Sequence, residues 1–374
     1  MVVYVRGVGR VKVGDIWDKS VLDLARDAAS LAMEDANVSK IDYVVVSNMT
    51  SLFLNAQGNL ATALIDLLNI RAIPITVESA CGSGGFAVSE GFRLVKSGAR
   101  NVLIVGVEKM SDAVTQDVTT AMMMAEDREY TAISGISFVG LNALALDYYL
   151  KKFNVLHDDI MMLPVIDHEH ASLNPYAQFP YKITLEKVKN SPPIVDPLRL
   201  LESSGIGDGA AAVILSSEKG DVEISASETA VDKFRLTERS DPLWLMATDL
   251  AARKAYEASN LSPNDIDIVE IHDAFSITGV LSLEDLGFAK KGEGAKLVSS
   301  GDIRLNGKLP TNTFGGLKAR GHPVGATGVY QVVEIALQLR GDAGENQVDG
   351  AKIGLAQNAG AVATSVSVTI LEKV

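Results

Sequence analysis

The chain has 374 residues, 47% hydrophobic and 22% charged, an ordinary globular mix with room for two or three domains. Its formal net charge of -13 argues against nucleic acid as the main partner, although a local basic patch could still hold an anionic ligand. A lone cysteine excludes an intrachain disulfide and any zinc site built on several thiolates.

Met1 to Val13 alternates apolar residues with Arg6, Arg10 and Lys12 and reads as a strand or hairpin. It lacks the apolar core of a signal peptide, and no run approaches the ~20 apolar residues of a membrane span. A cytoplasmic setting is expected. Val21 to Ala36 has helical spacing (Leu22, Ala25, Ala29, Ala32, Met33), and Asp42 to Val46 is a short apolar strand. A helix over Asn59 to Leu68 leads to an extended run, Ile73 to Val77. Then come Cys81, a Gly-rich turn, a helix over Phe86 to about Val95, and a strand over Asn101 to Val107. This β-α-β alternation predicts a mostly parallel sheet covered by helices. From about Met110 to Ser204 the pattern breaks into what reads as loops and short helices, an inserted layer. The sheet resumes with Asp208 to Leu215.

The second half repeats the first. Ala28, Ala32, Glu34, Asn37 and Ser39 recur at the same spacing as Ala251, Ala255, Glu257, Asn260 and Ser262, each set ahead of an Ile-Asp and a strand. Cys81-x-x-Gly84 has a counterpart in His322-x-x-Gly325. Two similar halves would place Cys81 and His322 at equivalent helix starts, facing each other across a pseudo-twofold axis. Unpaired N–H groups at a helix start favour an anion, so the position is expected to lower the Cys81 thiol pKa. A buried structural thiol is the competing reading. His272 closes a strand in Glu270-Ile271-His272-Asp273-Ala274-Phe275, and ligands gather beyond strand C-termini in parallel sheets. Either histidine alone is read more simply as structural. Together with a cysteine at an equivalent helix start, they suggest a thiol nucleophile with an imidazole base.

Four separated stretches then carry a resemblance: Ser79-Ala80-Cys81-Gly82-Ser83-Gly84, Ser204 to Ala212, His272-Asp273-Ala274-Phe275, and the block around Gly321-His322-Pro323. Asn174 to Phe179 adds a fifth. The chain resembles the thiolase superfamily over nearly its whole length, most closely the archaeal acetyl-CoA acetyltransferase and sterol-carrier-type branch. The resemblance implies an α/β fold of two similar halves, in five α-β-α-β-α layers. Residues 1–217 would form the first half, with a loop domain inserted at about 110–205, and 218–374 the second. It implies that Cys81 takes the acyl group, that His322 activates the thiol and helps form an oxyanion hole, and that His272 stands where other members have Asn. A second hole would use the N–H groups of Cys81 and Gly360. Many relatives carry a second cysteine where this chain has Asn358, and Ala274 replaces the cysteine of another subgroup. Asn is no base at neutral pH, so His272 or His322 is expected to deprotonate the second substrate.

The resemblance also implies that His168, Ser204, Phe275 and Asn358 contact substrate. Coenzyme A thioesters would be the substrates, with no cofactor and no metal. Lys318 and Arg320 suit CoA phosphates, a helix start or solvent, His157 a surface position, and Met122 to Met124 core or interface. The expected activity is acetyl-CoA C-acetyltransfer, feeding mevalonate synthesis. The alternatives are a degradative 3-ketoacyl-CoA thiolase of broader chain length, a non-catalytic acyl-CoA or lipid-binding subunit and, less well matched, an acyl-carrier-protein ketosynthase. Family partners would be a second copy (homodimer or tetramer), a hydroxymethylglutaryl-CoA synthase and a zinc- and OB-fold bridging protein.

Overall fold

The computed structural model describes all 374 residues. Nine strands form one sheet: β1 (Tyr4–Arg10), β2 (Tyr43–Ser47), β3 (Ile73–Val77), β4 (Asn101–Glu108), β5 (Gly209–Ser216), β6 (Val222–Val231), β7 (Ile268–Glu270), β8 (Ile353–Gly360) and β9 (Ser365–Lys373). Their order is β3-β2-β4-β5-β1-β6-β9-β8-β7. The first half reads β3-β2-β4-β5-β1 and the second β7-β8-β9-β6, which is the same order of equivalents with one strand missing. A single parallel bridge, Val269 to Thr311, stands where the equivalent of β3 would lie. The repeat seen in the sequence is therefore a repeat of topology. Only two residue pairs, Tyr4 with Glu223 and Val5 with Val222, join the halves into one sheet.

The helices that place the site are α1 (Val21–Ala36), α2 (Leu60–Leu67), α3 (Ser83–Lys96), α4 (Thr115–Met123), α5 (Phe138–Phe153), α6 (His157–Ala171), α7 (Met246–Ser259), α8 (Ser276–Asp285) and α9 (Thr327–Arg340). A Ser20–Asp23 capping box starts α1, and Asn37 ends it in the left-handed conformation. α1 covers the outer face of the first half and α7 that of the second. α3 and α9 lie between, touching strands of both halves. They cross at bare backbone, since a Cβ on Gly84 would sit 2.7 Å from Gly328 N. Glycine is needed on both helices at this crossing. β4 shows why Val102 to Val107 is apolar throughout. Leu103, Val105 and Val107 face the core under α1, while Val102 and Ile104 face the core around α9, as expected of a strand buried on both sides.

The inserted layer differs from the expectation of loops and short helices. α5 has 16 residues and α6 has 15. α6 hid from the sequence because it is buried on several faces at once, through Ile160, Leu163, Ile166, Asp167 and His170, and so shows no apolar stripe. Pro164 inside it also reads as a breaker. No helix is long and apolar enough to cross a membrane.

Candidate active site

Cys81 lies between β3 and α3, with Gly82 as the N-cap of α3. Its turn is tied on every side. Ser83 Oγ accepts from Ser79 N–H at 2.8 Å and donates to Ala80 O at 2.6 Å, while Glu78 Oε1 accepts from Ala80 N–H at 2.6 Å. These bonds hold Ala80 at φ 51°, a left-handed conformation that costs an L-residue roughly 1–2 kcal/mol.

Cys81 is 2% exposed and lines a cavity of about 360 Å³. Burial, reinforced by the charges of Glu108 and Glu78, pushes its thiol up to about 12, against a weaker pull from the N–H groups of Cys81 and Ala361. This reverses the expectation drawn from the helix start. Desolvation and two carboxylates outweigh the helix terminus, so the resting group is a thiol that needs a base. Glu108, missed in the sequence, is wholly buried and accepts from Asn48 Nδ2 (2.8 Å), Met49 N (3.0 Å), Thr50 N (2.9 Å) and Gly325 N (2.9 Å). It ties the end of β4 to the loop that carries His322. Its only sequence signal was a carboxylate closing an otherwise apolar strand.

That loop brings His322 to the same cavity, just ahead of α9. His322 Nδ1 lies 2.7 Å from Thr327 Oγ1. Its Nε2 is buried with no hydrogen-bond partner. His272 follows β7 and lines the cavity as well. Its backbone N–H donates to Gln357 Oε1 at 2.8 Å, and its Nδ1 lies 3.1 Å from Asn358 Nδ2. The two imidazoles meet edge to face, with centroids 5.1 Å apart. Burial pushes His272 down to about 4, against the charge of Asp273. Burial and the neighbouring His272 hold His322 well below the usual imidazole range. Both rings are neutral at pH 7.

The residues expected at the site divide. Ser204 and Phe275 lie on the cavity wall, joined by Met110, Phe138 and Ser203. Met122 is on the wall too, whereas Met124 is 65% exposed. Gly360 ends β8 against the Cys81 turn, where a Cβ on Gly82 would stand 2.9 Å from Gly360 N. The N–H of Ala361, one residue on, weakly favours the thiolate. Asn358 is not on the wall but behind His272.

Three expectations are corrected. His168 does not line the pocket, because its Nδ1 bonds Tyr181 O at 2.9 Å and its ring packs on Phe179 and Tyr181. His157 is not a bare surface residue, since its Nε2 meets the buried Glu202 Oε1 at 2.9 Å. Lys318 and Arg320 face neither CoA nor solvent. Lys318 is buried between Asp273 and Asp167, and Arg320 beside Glu334 at 3.1 Å. No group of three or more His, Cys, Asp or Glu side chains is gathered to hold a metal ion.

Comparison with known proteins decides the family. The model for the N-terminal domain of thiolase matches residues 3–219, and the thiolase C-terminal domain-like model matches 228–373. The chain belongs to the thiolase family. Its fold is the thiolase fold, and it is an enzyme of the acyltransferase class. An acetyl-CoA acetyltransferase of Methanothermobacter thermautotrophicus is 43% identical, with 99% of each chain covered. Human sterol carrier protein 2 is 34% identical over 98% of this thiolase and 71% of its own length. Among solved structures, the Ltp2-ChsH2(DUF35) aldolase superposes with a TM-score of 0.86 at 22% identity, covering 100% of this chain and 98% of that one.

Proposed function

We propose that this thiolase is an acetyl-CoA C-acetyltransferase, joining two acetyl-CoA into acetoacetyl-CoA and free CoA through an acetyl-Cys81 intermediate. The observation that carries the reading is one cavity holding the only thiol, two neutral imidazoles, and an Nε2 on His322 with no partner. His322 Nε2 takes the thiol proton as Cys81 Sγ attacks the thioester carbonyl. The C–S bond to Cys81 forms, the bond to CoA breaks, and the proton leaves with the CoA thiol. A second acetyl-CoA loses an α-proton to a cavity imidazole, its carbanion attacks acetyl-Cys81, the C–S bond to Cys81 breaks, and the imidazole returns the proton to the departing Cys81 thiolate. The N–H groups of Cys81 and of Gly360, whose nitrogen lies against the Cys81 turn, would stabilise the oxyanion of these steps. About 360 Å³ is at the small end for ligand sites and must also admit the pantetheine arm, which favours a short acyl group.

Intact-protein mass after mixing with acyl-CoA esters of two to twelve carbons tests the reading. The expected result is an adduct with acetyl-CoA that fades as the chain lengthens, and none on Cys81→Ala. An adduct strongest with long chains would move the assignment to a degradative 3-ketoacyl-CoA thiolase. CoA binding without any adduct would make the chain a binding subunit.

The proposal extends to assembly in the cytoplasm, with the product feeding mevalonate synthesis. β3 is the sheet edge, apolar and open, with Ile73 54% exposed. Such an edge invites strand pairing with a second copy. Condensation is uphill, so handing the product directly to a hydroxymethylglutaryl-CoA synthase through a zinc- and OB-fold bridging protein would help. Sedimentation velocity of the chain alone, then with both proteins, reads each point. A dimer or tetramer that gains mass on mixing is expected. A monomer, or no gain, would remove the corresponding proposal.

A further inference from the structure

The residue that replaces the second cysteine sits where it can set the chemistry of a histidine. Asn358 Oδ1 accepts from Gly85 N–H at 3.0 Å, in the first turn of α3. The other end of the amide, Nδ2, lies 3.1 Å from His272 Nδ1. The amide is enclosed by two glycines. A Cβ on Gly85 would stand 2.9 Å from Asn358 Cβ, and one on Gly328 would overlap Asn358 Oδ1.

A backbone N–H can only donate, so Gly85 fixes which end of the amide faces it. Turning the amide over would set Nδ2 against that N–H and lose the bond. With Oδ1 at Gly85, the group facing His272 is an NH₂, which also only donates. His272 Nδ1 must then accept, and a neutral ring carries its single proton on Nε2. The groups around the ring agree with neutrality, since burial is joined by the cations Arg320 and Lys318 and opposed only by Asp273. His272 Nε2 makes no hydrogen bond with protein, and the ring lines the Cys81 cavity.

We infer that Asn358 is a positioning residue that holds His272 with its proton on Nε2, making that imidazole a hydrogen-bond donor to substrate oxygen and leaving His322 as the base. The division between two adjacent imidazoles follows. His322 moves protons at Cys81 and at the α-carbon, while His272 donates to the thioester oxygen on which charge builds. Asn358 itself touches neither reacting group. It is not a substrate contact, and it does not take over the proton chemistry of the cysteine that other family members have there.

The kinetic part of this inference rests on the acetyltransferase reading, but its first test does not. Nitrogen NMR of the resting enzyme labelled with [¹⁵N]histidine reads the tautomer without turnover, with His272→Gln assigning the signal among five histidines. The expected wild-type result at pH 7 is a bare Nδ1 and a protonated Nε2 on His272. Asn358→Asp keeps an oxygen for Gly85 but offers His272 an acceptor, so Nδ1 should become protonated. Asn358→Leu, close in size with no polar atoms, should lower kcat about tenfold or more with KM little changed, short of the ~10²–10³ for outright loss of an oxyanion donor. A wild-type His272 with its proton on Nδ1 overturns the inference, as does an Asn358→Asp spectrum with Nδ1 still bare. If the variants fail to fold, the wild-type spectrum alone decides.

Discussion

Cys81→Ala is expected to lower acetyl transfer by roughly 10⁴-fold or more, since the chain has no other thiol to carry the acyl group. Its stability should change little. The thiol is 2% exposed among Met110, Val118 and Val324, and trimming one sulfur there costs at most about 1–2 kcal/mol. A variant that loses activity and also melts far below wild type would mean that Cys81 is chiefly structural. The pH dependence separates two ways of activating it. With the thiol pushed up to about 12, only about 10⁻⁵ of it is thiolate at pH 7. Alkylation by iodoacetamide, which takes the thiolate, should quicken about tenfold per pH unit from 7 to 9. Acylation by acetyl-CoA should not follow it. His322 is held well below the usual imidazole value, so its base form is fully present above pH 6.5 and is lost only as pH falls through that depressed value. The acylation rate should be level from pH 7 to 9. An alkylation rate already at its plateau at pH 7 would restore the low-pKa thiolate that the helix start suggested.

That error shows where sequence reasoning stops. The Cys81 and His322 motifs, the alternation of strands and helices, and the recurrence of Ala28 to Ser39 as Ala251 to Ser262 were local patterns, and the fold follows them. Glu108 and Glu78 raise the thiol because of where β4 ends and how the turn folds, which no spacing announces. Asn358 could be noticed only as a missing cysteine, because its partner Gly85 lies in the other half of the chain. Lys318 and Arg320 looked like phosphate ligands, helix-start residues or solvated charges because cations are rarely buried without a partner in view. Their partners Asp167, Asp273 and Glu334 come from an inserted helix, a strand end and α9. α6 was lost for a related reason, since a helix buried on several faces carries no amphipathic stripe.

Lys318→Met is expected to destabilise the enzyme by about 3–5 kcal/mol, the usual cost of breaking a buried charge group from one side. Lys318, Asp167 and Asp273 are all at most 1% exposed at their side chains. Lys318 Nζ meets Asp167 Oδ2 at 3.0 Å, the Asp273 carboxylate, and Asp273 O at 3.0 Å. Burial opposes its charge, yet the two carboxylates keep its pKa above the ordinary lysine value. One cation cannot serve both acids fully. Burial and the nearby Asp273 push Asp167 well up, while Lys318 holds Asp273 below its usual range in spite of burial. Methionine fills the same volume and leaves two carboxylates facing each other in a dry interior. A lower guanidinium midpoint with an unchanged slope would register the loss, and adding Asp167→Asn should return part of it. A single-variant loss under about 1 kcal/mol would show that the acids simply take up protons and that the lysine is dispensable. The variant should also be slow below its melting point. Asp273 directly follows His272, its Oδ1 accepts from Leu317 N–H at 2.8 Å, and His322 lies four residues beyond Lys318. The lysine therefore locks the segment carrying one imidazole to the segment carrying the other, and their 5.1 Å separation depends on that lock.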